Sequence, residues 1–154
     1  MASRATRLSV VPLARTVYTF EDFEADVAAA FAFLEQEHGM HRTFERAGVA
    51  SWVTYENSLA RVQVYYEIGS GVATTLEDRR YERKPLDTSR SFTLADLGAN
   101  ERLIERDSSC ENVREQARYL ETHGRSVLEG DFTRLHAKHD RLLAVTVANR
   151  AKSG

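Results

Sequence analysis

Apolar residues recur at steps of three and four from Phe20 through Phe23, Val27 and Phe31 to Leu34, a spacing that gathers them on one stripe of a helix. Thr19 precedes the run and Asp22 stands three positions later, the spacing of a capping box that satisfies orphan backbone amides at a helix start. Gly39 after His38 offers the left-handed residue that ends a helix. Glu21, Asp22, Glu24 and Asp26 crowd the first turns, where the positive end of the helix dipole favours acids. From Gly48 the period changes to two. Val49, Ser51, Val53 and Tyr55 alternate with Ala50, Trp52 and Thr54, and after Asn57 and Ser58, Leu59, Arg61, Gln63 and Tyr65 alternate with Ala60, Val62, Val64 and Tyr66. These patterns predict two strands joined by a turn. Gly69, Ser70 and Gly71 punctuate the chain before a third strand running from Val72 to about Tyr81, so the middle of the sequence reads as an antiparallel meander.

Beyond Pro85 and the polar stretch from Asp87 to Arg90, Thr93 and Asp96 repeat the capping-box spacing ahead of a short helix that Gly98 stops. A loop or linker helix through Arg106 follows. Ser108 and Glu111 open another helix whose face carries Val113, Ala117 and Leu120 and which ends near Gly124; Gly130 and Asp131 then introduce a last helix with Phe132, Leu135, His139, Leu142 and Leu143 on its stripe. Contiguous strands flanked by helices predict an α+β fold: an N-terminal helix, a three-stranded antiparallel meander, then two to three C-terminal helices packed on one face of the sheet. The expected organisation is a leader over residues 1–18, extended or disordered, a single domain over 19–150 and a disordered tail over 151–154.

Composition narrows the function. A length of 154 residues suffices for one domain with its own core. The 21 Lys and Arg against 23 Asp and Glu leave no global basic field, which disfavours general nucleic-acid binding. The longest apolar run, around Val27 to Leu34, falls far short of a membrane-spanning helix. The one cysteine, Cys110, has no internal disulfide partner, and a reducing, cytoplasmic compartment fits it. Arg4, Arg7 and Arg15 stand among hydroxyls with no acid, a composition shared by transit peptides and plain leaders.

No catalytic signature stands out. His136 and His139 share a helix face and could offer two ligands to a metal, but no HExxH, CxxC or HxD pattern supplies a third. Cys110 precedes a predicted helix, whose N-terminus lowers a thiol pKa. There is no GxSxG elbow and no phosphate-cradling glycine motif. Arg79, Arg80, Arg83 and Lys84 are diluted by Glu77, Asp78 and Glu82. The clustering that remains is aromatic. Trp52, Tyr55, Tyr65, Tyr66 and Tyr81 all fall in the sheet region, and rings left on an uncovered face make low-entropy anchors for a partner; the same rings could equally be core and cross-strand pairs.

The segments FAFLEQEHGM, SWVTYENSLARVQVYYE, SFTLADLG and VLEGDFTRL, within residues 20–143, give the chain an order of features that resembles small bacterial α+β immunity proteins of polymorphic toxin systems. That resemblance implies docking on a cognate toxin without any cofactor; the near-neutral charge departs from the more acidic members of the class. The sequence therefore reads as a non-catalytic protein-binding module with a toxin or complex subunit as partner, monomeric or homodimeric. Two rivals stand beside it: a small-ligand protein or enzyme whose site assembles His136, His139 and a sheet tyrosine, and an assembly component of a phage or larger complex.

Overall fold

The structure, a computed structural model, describes residues 17–81, 90–100 and 109–153. The expectations for the leader up to residue 16, for Arg83, Lys84 and Pro85, for the linker from 101 through Arg106 and for the Ser108 cap lie outside these residues. The chain order is α1 (Phe20–Ala30), α2 (Ala32–His38), β1 (His41–Ala47), β2 (Ala50–Glu56), β3 (Ala60–Glu67), β4 (Gly71–Asp78), β5 (Phe92–Thr93), a 3-10 turn (Leu94–Leu97), α3 (Ser109–His123), α4 (Arg125–Leu128) and α5 (Thr133–Lys152). The strands form one antiparallel sheet in the order β1-β2-β3-β4-β5.

Thr19 caps α1 as its spacing predicts: its hydroxyl accepts from the Asp22 amide at 3.1 Å, and the Asp22 carboxylate accepts from the Thr19 amide at 3.3 Å. The expected single helix is broken at Phe31, whose φ of −97° and ψ of 13° leave the helical range, and Gly39 ends α2 in the left-handed conformation. Asn57 makes the β2–β3 turn by accepting from the amides of Leu59 and Ala60 at 2.8 and 3.0 Å, while its amide nitrogen donates to the His38 carbonyl at 2.9 Å.

The sheet has five strands where three were expected. β1 escapes the apolar pattern because six of its seven residues are exposed and the seventh, Arg42, is half-buried. What holds it is pairing with β2 along its whole length and a clamp to α1. Arg46 donates from Nε and Nη2 to the two oxygens of Glu24, both at 2.7 Å, and Glu24 also accepts from the hydroxyl of buried Ser51 at 3.1 Å. β5 is only two residues long, too short for any period to register.

One face of the sheet is sealed. Val53 and Tyr55 of β2, Val62, Val64 and Tyr66 of β3, and Val72 and Leu76 of β4 are buried with Phe23 and Val27 of α1, Phe31 at the break, Phe33 and Leu34 of α2 and Val113, Ala117 and Leu120 of α3. α1 lies across β2 and β3, and α3 lies along α1 and over β4. Apolar packing alone leaves α3 free to slide, and a buried polar set fixes its register. The Thr74 hydroxyl donates to Gln116 Oε1 at 2.7 Å, and Gln116 Nε2 donates to the Val72 carbonyl at 2.9 Å and to Asn112 Oδ1 at 3.0 Å. At the α3–α4 corner Gly124 is required sterically, since a Cβ there would stand 2.7 Å from the Leu120 carbonyl oxygen.

The last helix departs from its expected stripe. Phe132 and Leu135 are buried, but Leu142 and Leu143 are 58% and 44% exposed, so only the first turns of α5 belong to the core. α5 also runs through Ala151 and Lys152, where a disordered tail was expected.

Replacing Gln116 by Leu strands the buried Thr74 hydroxyl and should lower stability by about 2 kcal/mol in urea unfolding, with Thr74→Val in the same chain restoring part of the loss. Glu24 provides a pH signature. The Arg46 guanidinium holds its carboxyl below the ordinary value. A folded value below the unfolded one means stabilisation that is complete above the unfolded carboxylate range and lost as pH falls through the folded value. The gap in urea midpoint between wild type and Glu24→Gln should therefore be present at neutral pH and close below about pH 4.

Candidate functional site

Strand pairing puts directly opposed residues on the same side of a sheet, so the register defines the uncovered face row by row. One row runs His41, Glu56, Arg61, Glu77; the next Thr43, Thr54, Gln63, Thr75, Thr93; the third Glu45, Trp52, Tyr65, Ala73. In the first row Arg61 bridges Glu56 at 3.0 Å and Glu77 at 3.2 Å. The second is a band of short uncharged polar side chains, in which Gln63 Nε2 donates to the Thr54 hydroxyl at 3.3 Å. In the third, Trp52 and Tyr65 stand directly opposite one another with ring centroids 5.4 Å apart, and both stay partly exposed.

Four of the five aromatic residues singled out in the sequence are thus divided by the pleat. Trp52 and Tyr65 lie on the open face. Tyr55 and Tyr66 point the other way and are buried, because strand alternation places them in line with Val53 and Val64. The Tyr55 hydroxyl donates to the Val27 carbonyl at 3.3 Å, and burial pushes its pKa up to about 12. The Tyr66 hydroxyl donates to the Tyr18 carbonyl at 3.2 Å, and its ring meets Tyr18 edge-on at 5.3 Å. Neither can reach a partner. Tyr81 lies beyond the end of β4 with its ring stacked 4.4 Å from that of His136 and the Arg90 guanidinium 4.5 Å from its centroid.

Around Tyr81 the fold assembles a polar knot that no spacing in the sequence announces. His136 Nε2 lies 2.9 Å from Asp78 Oδ2, its Nδ1 lies 3.2 Å from Arg90 Nη1, and Arg90 Nη2 donates to Asp140 Oδ1 at 2.8 Å. A guanidinium only donates, so Nδ1 accepts from Arg90 and Nε2 carries the hydrogen that goes to Asp78. Both ring nitrogens are therefore spent within the protein, and this Asp–His pair has no nitrogen left to act as a base on a substrate. The knot ties the first turns of α5 to the end of β4. His139 faces the edge of Phe92 at 6.3 Å, and no group of three His, Cys, Asp or Glu side chains able to hold a metal exists among the described residues. Cys110 is half-buried, and burial followed by the neighbouring Asp26 carboxylate pushes its thiol pKa up, the opposite of activation.

A groove of about 300 Å³ opens on the other side of α5, lined by Asp96, Val127, Asp131, Arg134, Leu135, Lys138 and Arg141 among others. It contains neither of the paired histidines nor any sheet tyrosine; His136 instead stacks on Tyr81 in the knot. No described helix is long and apolar enough to cross a membrane.

The chain matches no family model, no curated protein and no solved structure. Its functional reading rests on the geometry above.

Removing the His136 ring by His136→Ala leaves Asp78 and Arg90 without their shared partner and should cost about 2 kcal/mol, with faster amide exchange over the first turns of α5. Leu142→Ala on the same helix should change the unfolding free energy measured in urea by less than about 0.5 kcal/mol, as expected for an exposed site.

Proposed function

We propose that the chain is a non-catalytic protein-binding module and that its contact surface is the uncovered face of the sheet, centred on Trp52 and Tyr65. The observation that carries this reading is the placement of the chain's single tryptophan against a tyrosine on a face over which no described helix packs. Such a pair offers a large contact area at little cost in side-chain entropy. The surrounding threonines and Gln63 supply donors and acceptors without the heavy desolvation cost of charges. Glu45 and Glu67 flank the rings, so the complementary surface carries cations opposite them. An immunity-type inhibitor is the form of this function in which the covered surface is a toxin's active site.

The test is capture by the immobilised protein of products encoded beside its own gene, with wild type and Trp52→Ala/Tyr65→Ala in parallel. One stoichiometric protein should bind the wild type and be lost at least about tenfold from the double variant, with far-ultraviolet circular dichroism unchanged. Retention by the double variant, or no partner in repeated captures, would remove the reading.

A further inference from the structure

We infer that the groove beside α5 is a second, separate docking site, and that its occupant is an acidic amphipathic segment of a partner protein. Arg134, Lys138 and Arg141 recur at i, i+4 and i+7 and line one wall of the groove, which sets the two arginines about 10 Å apart along the helix. Neither Arg134 nor Arg141 makes a hydrogen bond or ion pair with any described residue, and Lys138 reaches only to 3.8 Å from Asp96.

The acids in the groove are already committed. Asp96 accepts from the Thr93 amide at 2.8 Å as the cap of the 3-10 turn, and Asp131 accepts from the Thr133 amide at 3.2 Å at the start of α5. The only acid of α5, Asp140, is held by buried Arg90. Among the described residues, the 3.8 Å approach of Lys138 to Asp96 is thus the one ion pair made by this basic row.

The rest of the lining selects the ligand class. Leu97, Val127 and Leu135 contribute apolar surface, of no use to a free phosphate. Asp96 and Asp131 oppose a polyanion such as nucleic acid. The cations stand in a concave wall, which a flat bilayer cannot enter. Beyond the groove the same side of α5 continues into Leu142 and Val145, 58% and 57% exposed, at the i+8 and i+11 positions from Arg134 that helical periodicity aligns with the basic row. Carboxylates one and two turns apart beside an apolar stripe satisfy both halves of this surface, as in helix-in-groove recognition.

The probe is a fluorescein-labelled helical peptide with glutamates at i, i+4 and i+7 and leucines beside them, followed by anisotropy. Wild type should bind it, more weakly as salt rises, and should bind the glutamine version at least about tenfold less well. Arg134→Glu/Arg141→Glu should lose at least about tenfold in affinity, with the milder Arg134→Gln/Arg141→Gln in reserve should the first variant fold poorly. Arg150→Glu and Trp52→Ala/Tyr65→Ala should bind as wild type, which separates this site from the sheet face. No binding by wild type, equal binding by the groove variants, equal competition by inorganic phosphate, or transfer of the Arg134 and Arg141 dependence to phosphatidylserine vesicles would overturn the inference.

Discussion

A sheet has two faces, and the described helices of this chain cover one. Burying Val53, Tyr55, Val62, Val64 and Tyr66 under Phe23, Val27, Phe31 and Leu120 removes their apolar surface from water, the largest favourable contribution to folding. Every other feature follows from which residues that burial takes. The pleat turns the alternate positions outward, so a strand that commits Tyr55 and Tyr66 inward also commits Trp52 and Tyr65 outward. The outward rows are built to remain in water: threonines, a glutamine and a bridged arginine fill them.

Apolar contact is nondirectional, and polar contacts inside and beside this core supply direction. Gln116 spends its side-chain amide on Thr74, Val72 and Asn112 and so sets α3 against β4 at one register. Glu24 does the same for the edge strand β1 through a two-pronged bond to Arg46. A carboxylate shared between Arg46 and Ser51 ties helix, edge strand and neighbouring strand at one point. The rest of β1 carries His41, Arg42 and Glu45, polar and charged side chains of the kind that discourage pairing with another chain's edge.

α5 follows a different rule. Its first turns are fastened by Phe132, Leu135 and the His136 knot, while Leu142, Leu143, Val145 and Val147 are left largely in solvent. Charge is distributed along the same division: α5 carries Arg134, Lys138, Arg141, Arg150 and Lys152 against Asp140 alone, whereas α1 begins with four acids in seven residues. The near-neutral total therefore hides a basic helix joined to an acidic body, and the basic helix is also the one that leaves apolar residues exposed.

Local physical chemistry was legible from residue order alone. The Thr19 and Thr93 capping boxes, the Gly39 helix end, the Asn57 turn and the inward set of β3 depend on contacts within a few residues, and the sequence encodes those directly. β1 was not legible, because an edge strand held by Arg46 and Glu24 needs no apolar alternation. The break at Phe31 was hidden by an apolar stripe that continues through it. The membership of Leu142 and Leu143 was misjudged because periodicity shows which residues share a face and cannot show whether anything packs against it. The division of Trp52 and Tyr65 from Tyr55 and Tyr66 followed the predicted alternation, while Tyr81 fell beyond the strand; which half was sealed depended on where α1 and α3 came to rest. Asp78, Arg90, His136 and Asp140 meet across separations of up to 58 residues. That meeting, and the groove whose basic wall lies on the other side of the same helix, exist only once the chain has closed on itself.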